Sequence, residues 1–439
     1  MPMKNIEIGI LGCGIVGTGV AKLLIEKQAL LESRIGARLN LKYVADLDTT
    51  TDRGVVFDEG VFITDANTVL DDPMIHIVVE AIGGKGIAKD FILRALKNGK
   101  HVVTANKALL ASFGNMLVST AVKNNVEIGF EASCGGCMPV IKTLRESLVG
   151  NRINGITGIL NGTCNYILTK MSNERCSFDK ALEEAQALGF AEADPFLDVE
   201  GYDSAHKLAI LNALAYGMEI NLDDIHVEGI SKITPMDIEF AREFGYTIKL
   251  LAISRNSSTK VAARVHPAMI PDSNPLSHVD GSMNAVVIDA DATGETMLYG
   301  HGAGMMPTAS AVVSDISDIV RNIMTGASHR IPILGYPEAN IRKIPLLCLK
   351  EINTPYYFRF EAADQPGVLS KISGILGECG ISIKIVHQKG RQCNGSVPIV
   401  MITHIAKEEN AQKALKKIAA LDSTMNPPVV IRIEEACSN

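Results

Sequence analysis

Residues 5–17, Asn5-Ile-Glu-Ile-Gly-Ile-Leu-Gly-Cys-Gly-Ile-Val-Gly17, decide how the rest of the chain is read. The apolar run Asn5–Leu11 ends at once in Gly12, Gly14 and Gly17, spaced G-x-G-x-x-G, and Thr18–Leu31 then carries helix formers at helical spacing. A strand that turns over three glycines into a helix opens a parallel βαβ unit. The first glycine permits the tight turn, the second lets a pyrophosphate approach backbone N–H groups, and the third allows close helix–strand packing. The helix start favours negative charge. Gly12, Gly14, Ile15, Val16 and Gly17 are therefore candidate nucleotide contacts. A glycine turn without a ligand is the alternative.

Outward from this stretch, Leu39–Ala45, Val55–Ile63, Ile75–Ala81, His101–Thr104 and Val126–Glu131 read as further strands, with a helix at Lys89–Asn98. Strands alternating with helices imply a parallel sheet covered on both faces. Asp46, or less favourably Asp48, stands where an acid would bind the adenine ribose; a plain turn aspartate is the competing reading. The nearest basic residue, Arg53, is several positions on, so NAD and NADP both remain open. Thr104, Asn106 and Lys107 follow the strand HVVT, at the carboxyl edge where such sheets bind ligands. A merely solvated lysine is the alternative for Lys107.

From about Glu131 the texture changes. Helical stretches (Val140–Val149, Tyr166–Ser172, Phe178–Leu188, Asp203–Tyr216, Ala309–Ile323) mix with strand-like ones (Arg152–Leu160, Val261–Pro267, Ala285–Ala290, Thr296–Tyr299), which suggests an α+β domain. Ser328–Asn353, with three prolines and little periodicity, reads as a linker. The C-terminal part then runs strand (Tyr356-Tyr-Phe-Arg-Phe-Glu-Ala362), turn (Asp364-Gln-Pro-Gly367), helix (Val368–Cys379), two strands (Ser382–Gln388, Val397–His404), helix (Lys407–Leu421) and strand (Val429–Ile433). The order β-α-β-β-α-β is ferredoxin-like. The expected organisation is α/β: a Rossmann-type dinucleotide-binding domain at 1–130, an α+β substrate and dimerisation domain at 131–308, a linker at 328–353 and a ferredoxin-like module at 354–436. Helix 309–323 is expected to pack back onto the first domain.

Composition narrows the class. The chain has 439 residues, which at ~150 per domain suggests three domains. Lys+Arg is 42 against 49 for Asp+Glu, a net charge of −7 with no general pull toward nucleic acid or an anionic membrane. No apolar run approaches the ~18–20 residues of a membrane span, and the start enters a strand directly, without a secretory pattern. Nine cysteines, an odd number, argue for free thiols in a reducing compartment. A cytoplasmic protein is expected.

Three further segments carry candidate chemistry. Glu192–Lys207 holds Glu192, Asp194, Asp198, Glu200, Asp203 and Lys207, and Asp203 and Lys207 are i and i+4 on one helix face. The bland reading is an exposed acidic loop with one salt bridge. The sharper one is a pocket whose carboxylates bind an ammonium group and whose lysine exchanges a proton with a reacting oxygen. Glu131-Ala-Ser-Cys134-Gly-Gly-Cys137-Met-Pro139 contains a CxxC pair, but no second CxxC or HxxxH completes a zinc site, so free thiols are favoured. Carbonyls in that glycine turn, with Glu131, could instead hold a hard monovalent cation. Gly300-His-Gly-Ala-Gly304 is a second glycine loop ahead of a helix, and close approach to a cofactor would explain Gly304.

Together, Lys100–Ala111, Phe130–Pro139 (FEASCGGCMP), Gly158–Met171 (GILNGTCNYILTKM), Ala185–Leu208 and Gly300–Asp315 resemble the homoserine dehydrogenases, in order, over about Ile6–Asp318. Asp364–Leu369 (DQPGVL) resembles the start of an ACT domain, a module that binds amino-acid effectors. With no kinase-like region ahead of the first strand, the resemblance is to the monofunctional form. It implies NAD(P)-dependent interconversion of L-homoserine and L-aspartate 4-semialdehyde, in the biosynthesis of threonine, methionine and isoleucine. Lys207 would be the catalytic lysine, and Lys107 a second lysine at nicotinamide and substrate. Glu192 and Asp203 would hold the substrate amino group, with Asp198 in the same pocket. Glu131 and the carbonyls of Cys134, Gly136 and Met138 would hold Na+ or K+; the family usually has aliphatic residues or glycine at positions 134 and 137. L-Threonine would be the effector, bound by Asp364, Gly367, Val368 and Leu369 where two such modules meet, in a homodimer or homotetramer. A catalytically inactive amino-acid sensor on the same fold is the alternative, and a different semialdehyde or imine reductase leaves NGTCNYI and DVEGYD unexplained.

Overall fold

The computed structural model describes residues 3–257, 259–388 and 396–435. Six strands, β1 (Lys4–Leu11), β2 (Ala37–Ala45), β3 (Phe62–Ile63), β4 (Ile77–Glu80), β5 (His101–Thr104) and β6 (Ile128–Gly129), form one sheet in the order β3-β2-β1-β4-β5-β6. Every neighbouring pair is parallel. This is the doubly wound order whose winding reverses between β1 and β4, and it opens a crevice at the carboxyl end of β1. Ile6, Ile8 and Ile10 of β1, Val79 of β4 and Val103 of β5 are buried in its core. Helices α1 (Ile15–Glu26), α2 (Gln28–Ile35), α3 (Ala66–Asp71), α4 (Ile87–Lys97) and α5 (Lys107–Lys123) connect the strands.

Several elements differ from the sequence reading. Thr18–Leu31 is two helices rather than one, because the backbone leaves helical geometry at Lys27 (φ −109°, ψ 16°). Of Val55–Ile63 only Phe62–Ile63 pairs with β2; Val56 is exposed and the Val61 N–H closes a turn onto Asp58 O. Val140–Val149 is helical only to Lys142, after which Thr143–Ser147 widens to a π-turn and Leu148 N–H reaches Thr143 O at 2.9 Å. The helix Pro235–Glu243 and the strand Tyr246–Asn256 were not anticipated.

The chain packs as two compact units, Met1–Gly162, Asp203–Asp223 and Met283–Ile344 in the first, Thr163–Tyr202, Asp224–Ser282 and Pro345–Asn439 in the second. In the first unit, strand Met283–Ala290 lies antiparallel between Ile153–Ile159 and Gly294–His301. The helix Met305–Thr325 packs on α1, and Ala309, Val312 and Ile316 join the core of the parallel sheet. Gly19 permits that crossing, since a Cβ there would lie 2.9 Å from Met305 and 3.0 Å from Ala309.

In the second unit one sheet runs Tyr246–Asn256, Val261–Pro271, Val429–Ile433, Tyr356–Ala363, Ser396–Thr403, Ile383–Gln388. Its last four strands, with helices Val368–Glu378 and Glu408–Ala419, are the expected β-α-β-β-α-β module. The core is Tyr356, Phe358, Phe360, Ile372, Ile399, Met401, Ala411 and Ile418. The final strand also pairs in parallel with Val261–Pro271, Ala268 opposite Arg432, so the module continues a larger sheet. The 328–353 stretch is bonded on the way: Arg342 N–H to Gly217 O at 2.9 Å, and Leu347 N–H to Val261 O at 2.8 Å.

Candidate active site

The glycine turn has the geometry its spacing predicts. Gly12 sits at φ +92°, its N–H donates to Ala45 O at 2.8 Å, and a Cβ there would lie 2.7 Å from the Ala81 backbone. A Cβ on Gly17 would meet Gly12 O at 2.0 Å. Gly14, the residue before α1, has open space at the corresponding point. A cleft of about 600 Å3 lies there, lined by Gly12, Gly14, Asp46 and the apolar Leu47, Ile82 and Phe91. Val16 packs on the core beneath, whereas Ile15 is exposed. Gly12→Ala would force a left-handed backbone and a backbone clash together; a loss of nicotinamide-dinucleotide affinity of at least about tenfold, read by fluorescence titration, is the expected result.

Asp46, at the end of β2, is turned onto the glycine loop: its Oδ2 accepts from Cys13 N–H at 2.5 Å and its Oδ1 from Asp48 N–H at 2.9 Å. Arg53 folds back to the same place. Its Nε donates to Cys13 O at 2.7 Å and its Nη2 lies 3.4 Å from Asp48 and 3.8 Å from Asp46. An acid and a cation thus meet at the corner where the second strand ends.

At the far side of β1, Glu80 is buried at the end of β4, a residue the sequence reading passed over. Its Oε1 accepts from Ile82 and Gly83 N–H, both at 2.9 Å, and its Oε2 from the Thr104 hydroxyl at 2.6 Å. Thr104 Oγ1 accepts from Asn106 N–H at 3.0 Å; Asn106 caps α5 through Leu109 N–H at 3.1 Å and donates to Gly84 O at 2.7 Å. This network ties together the loops after β4 and β5 and presents Lys107 as the first residue of α5.

The Lys107 ammonium lies 3.0 Å from Asp203 Oδ1, which brings the first turn of helix Tyr202–Tyr216 to the carboxyl edge of the sheet. Asp203 Oδ2 accepts from Lys207 Nζ at 2.7 Å and from Asn161 Nδ2 at 2.9 Å, and Lys207 Nζ also donates to Leu160 O at 2.5 Å. Asp203 and Lys207 are 6% and 7% exposed, so the pair is not the solvated helix salt bridge of the bland reading. Burial pushes the Asp203 carboxyl up, but the attraction of Lys207 and Lys107 and the bonds from Lys207 and Asn161 outweigh it and hold the group well below its ordinary value. Burial, then the charge of Lys85, push the neighbouring His206 imidazole down. The sequence reading did not single out Lys85, although Gly83-Gly-Lys-Gly86 after a strand is a turn signal that places a lysine at the sheet edge. Glu192 and Asp198 belong to the second unit. Glu192 is exposed, and Asp198 sits in the short helix Phe196–Val199.

Glu131 is 3% exposed and its two oxygens accept from Ile141 and Lys142 N–H, both at 2.9 Å. Its own N–H donates to Asp315 Oδ2 at 2.7 Å. Burial, then the nearness of Asp315, pushes the Glu131 carboxyl up to about 7, and burial pushes Asp315 up to about 6. Gly136 (φ +57°) lies against His301 O and Gly302, and Met138 O accepts from Val140 N–H at 2.8 Å. The Cys134 thiol is buried, pushed up to about 12 by desolvation, and lies 3.7 Å from Lys207 O; Cys137 is exposed. All seven cysteines among the described residues are free. Gly304 (φ +127°) precedes the helix Met305–Thr325. In the second unit, Asp364, Gly367, Val368 and Leu369 line a cleft of about 630 Å3 together with Gln388 and Ile399.

A nucleotide crevice and a buried Asp203–Lys207 pair with Lys107 at its edge stand at the carboxyl side of the same sheet, and comparison with known proteins gives the family. Residues 139–317 match the model of homoserine dehydrogenase and residues 12–131 that of the homoserine dehydrogenase NAD-binding domain. The chain belongs to the homoserine dehydrogenase family. Residues 356–423 match the ACT domain. A homoserine dehydrogenase of Neisseria gonorrhoeae is 43% identical, with 98% of this chain and 99% of that one covered; the Bacillus subtilis enzyme is 40% identical at the same coverage. Among solved structures, a homoserine dehydrogenase from Thiobacillus denitrificans is 42% identical with a TM-score of 0.93, covering 99% of each chain. A hyperthermophilic archaeal homoserine dehydrogenase in complex with NADPH is 30% identical with a TM-score of 0.61, covering 71% of this chain and 96% of that one. As a homoserine dehydrogenase the chain is an NAD(P)-dependent oxidoreductase with a C-terminal ACT domain, and no helix among its described residues is long and apolar enough to cross a membrane.

Proposed function

We propose that Lys207 is the general acid–base of the interconversion of L-homoserine and L-aspartate 4-semialdehyde, and that Lys107 and Asp203 position it and the substrate. The observation that carries this reading is the burial of Asp203 between the two ammonium groups at the carboxyl edge of the nucleotide-binding sheet. A bound nicotinamide supplies hydride transfer. In the oxidative direction a neutral Lys207 amine takes the hydroxyl proton of homoserine as the aldehyde forms; in the reductive direction its ammonium returns a proton to the developing alkoxide. Asp203, held ionised by its neighbours, orients the Lys207 amine and balances the charge it gains. Glu192 and Asp203 are assigned to the substrate ammonium, with Asp198 as a further substrate residue.

Gly12, Gly14, Ile15, Val16 and Gly17 hold the pyrophosphate, and Thr104, Asn106, Lys107 and Gly304 border the nicotinamide. Asp46 suits a ribose diol, whereas Arg53 beside it suits a 2′-phosphate, so both nucleotides enter the assay. Glu131 and the carbonyls of Cys134, Gly136 and Met138 are assigned to Na+ or K+. Two buried carboxylates, Glu131 and Asp315, meet there, and added positive charge would stabilise both. L-Threonine is the proposed effector, at the cleft of Asp364, Gly367, Val368 and Leu369. Residues 1–130, 131–308 and 354–436 are taken as the nucleotide, substrate and regulatory regions of a cytoplasmic homo-oligomer; free thiols fit that compartment.

Initial rates with homoserine and each of NAD and NADP, with and without threonine, in K+, Na+ or tetramethylammonium buffers, test these assignments together. The expected result is homoserine-dependent reduction of one nucleotide, slowed by threonine and supported by K+ or Na+ over tetramethylammonium. An unchanged rate with threonine, and no heat on calorimetric titration, removes the effector assignment; equal rates and equal melting temperatures in all three buffers remove the cation.

A further inference from the structure

The second unit contains an ionic cluster built on a buried arginine that the catalytic reading does not use. Arg432, in the last strand of the ACT domain, is 1% exposed. Its Nε and Nη2 donate to Glu408 at 2.8 and 2.7 Å, and its Nη1 and Nη2 donate to Glu228 at 2.9 and 3.0 Å. Both carboxylates are gripped bidentately, and the Tyr356 hydroxyl and Gln412 amide complete the shell of Glu408 at 2.9 and 2.8 Å. A buried guanidinium between two carboxylates adds little net stability over an apolar core, but it fixes geometry.

What it fixes is the segment beginning at Glu228. Glu228 N–H donates to Val265 O at 2.8 Å, and a Cβ on the next residue, Gly229, would lie 2.5 Å from both Glu200 Cα and Val199 O. Ile230 N–H donates to Val199 O at 2.8 Å and the Ser231 hydroxyl to Glu200 Oε1 at 2.7 Å. Gly201, at φ +84°, closes the same turn, and a Cβ there would meet Val227 and Val265 at 3.2 Å. The Val199–Gly201 turn directly follows Asp198 and runs straight into the helix of Asp203 and Lys207.

We propose that Glu228, clamped by Arg432, is a positioning residue that holds the Val199–Gly201 turn, so that the ACT domain's last strand sets how well the Asp198 segment meets homoserine. The inference rests on the reading of Asp198 as a substrate residue. The contacts form one bonded path, from the regulatory strand through Arg432, Glu228 and the Gly229 backbone to the turn. Displacing that turn weakens substrate binding and leaves the nucleotide alone.

The test uses the full-length chain and steady-state kinetics of Glu228→Gln, Gly229→Ala, Ser231→Ala and Arg432→Lys. Glu228→Gln and Gly229→Ala are each expected to raise the homoserine KM about tenfold, with kcat and the nucleotide KM changed less than about twofold, the signature of lost ground-state binding. Ser231→Ala, at an exposed side chain, is expected to raise it about threefold, and it keeps the test alive should Gly229→Ala fail to fold. Arg432→Lys combined with Glu228→Gln should do no more than Glu228→Gln alone, because the two act through one path. Folded Glu228→Gln and Ser231→Ala proteins with wild-type homoserine KM overturn the proposal, as does an equal rise in both KM values. A wild-type chain that does not oxidise homoserine at all overturns the functional reading instead.

Discussion

Lys207→Met is expected to lower kcat for homoserine oxidation by about 10²–10⁴-fold, the usual worth of a positioned acid–base group. The nucleotide should bind as before, because the crevice of Gly12, Gly14 and Asp46 does not include Lys207. The fold should persist as well. Methionine fills much of the stem volume, and Asp203 keeps Lys107 at 3.0 Å and Asn161 at 2.9 Å. Stopped-flow and steady-state rates, with fluorescence of the bound reduced nucleotide and circular dichroism as controls, decide it. A folded Lys207→Met protein turning over within a few-fold of wild type removes Lys207 from the chemistry. Asp203→Asn separates orientation from proton transfer: the amide keeps the shape and one acceptor but removes the charge that both lysines face, so turnover should fall without vanishing.

The second large effect concerns stability. Asp237, in the second unit, is 0% exposed, and Arg359 donates to it through Nε at 2.7 Å and Nη2 at 3.1 Å, with the Tyr357 hydroxyl at 3.1 Å. The same carboxylate completes the capping box of helix Pro235–Glu243 with Thr234. Arg359→Met strands a buried carboxylate, which costs about 3–5 kcal/mol. At ~2–4 °C per kcal/mol for a unit of this size, the second unit should melt roughly 6–20 °C lower. Adding Asp237→Asn should return part of the loss, since the buried charge is then gone. A scanning-calorimetry transition within about 2 °C of wild type for Arg359→Met would falsify the assignment of that pair as a structural anchor.

Local patterns carried much of this molecule. G-x-G-x-x-G after an apolar run, and strands alternating with helices, led to a Rossmann-type parallel sheet, and the structure supplies its order β3-β2-β1-β4-β5-β6. The ferredoxin-like order at the C-terminus was legible because each of its elements is short, periodic and bounded by turn residues. The i, i+4 spacing of Asp203 and Lys207 placed both on one helix face, and they meet at 2.7 Å. Tyr246–Asn256 escaped notice because its central residues are apolar on both faces, which leaves no alternation to distinguish a buried strand from a helix. Glu80 was hidden as one acid ending Ile77-Val-Val-Glu80; its role exists only because Thr104 and the loop at Gly83 fold against it.

The sequence by itself determined the family, the nucleotide turn and the candidate lysines, because those depend on backbone freedom at glycines and on spacing within single elements. Only the tertiary structure decided which charges are buried and with whom. Lys107 and Asp203 are far apart in the chain, as are Glu228 and Arg432, and the fold excludes water from Asp203, Lys207 and Arg432 at the centre of each cluster. Pairing strength depends on that exclusion, since the same ion pairs in solvent would be screened to almost nothing. Residue types showed which groups could carry charge; long-range packing determined where that charge would act.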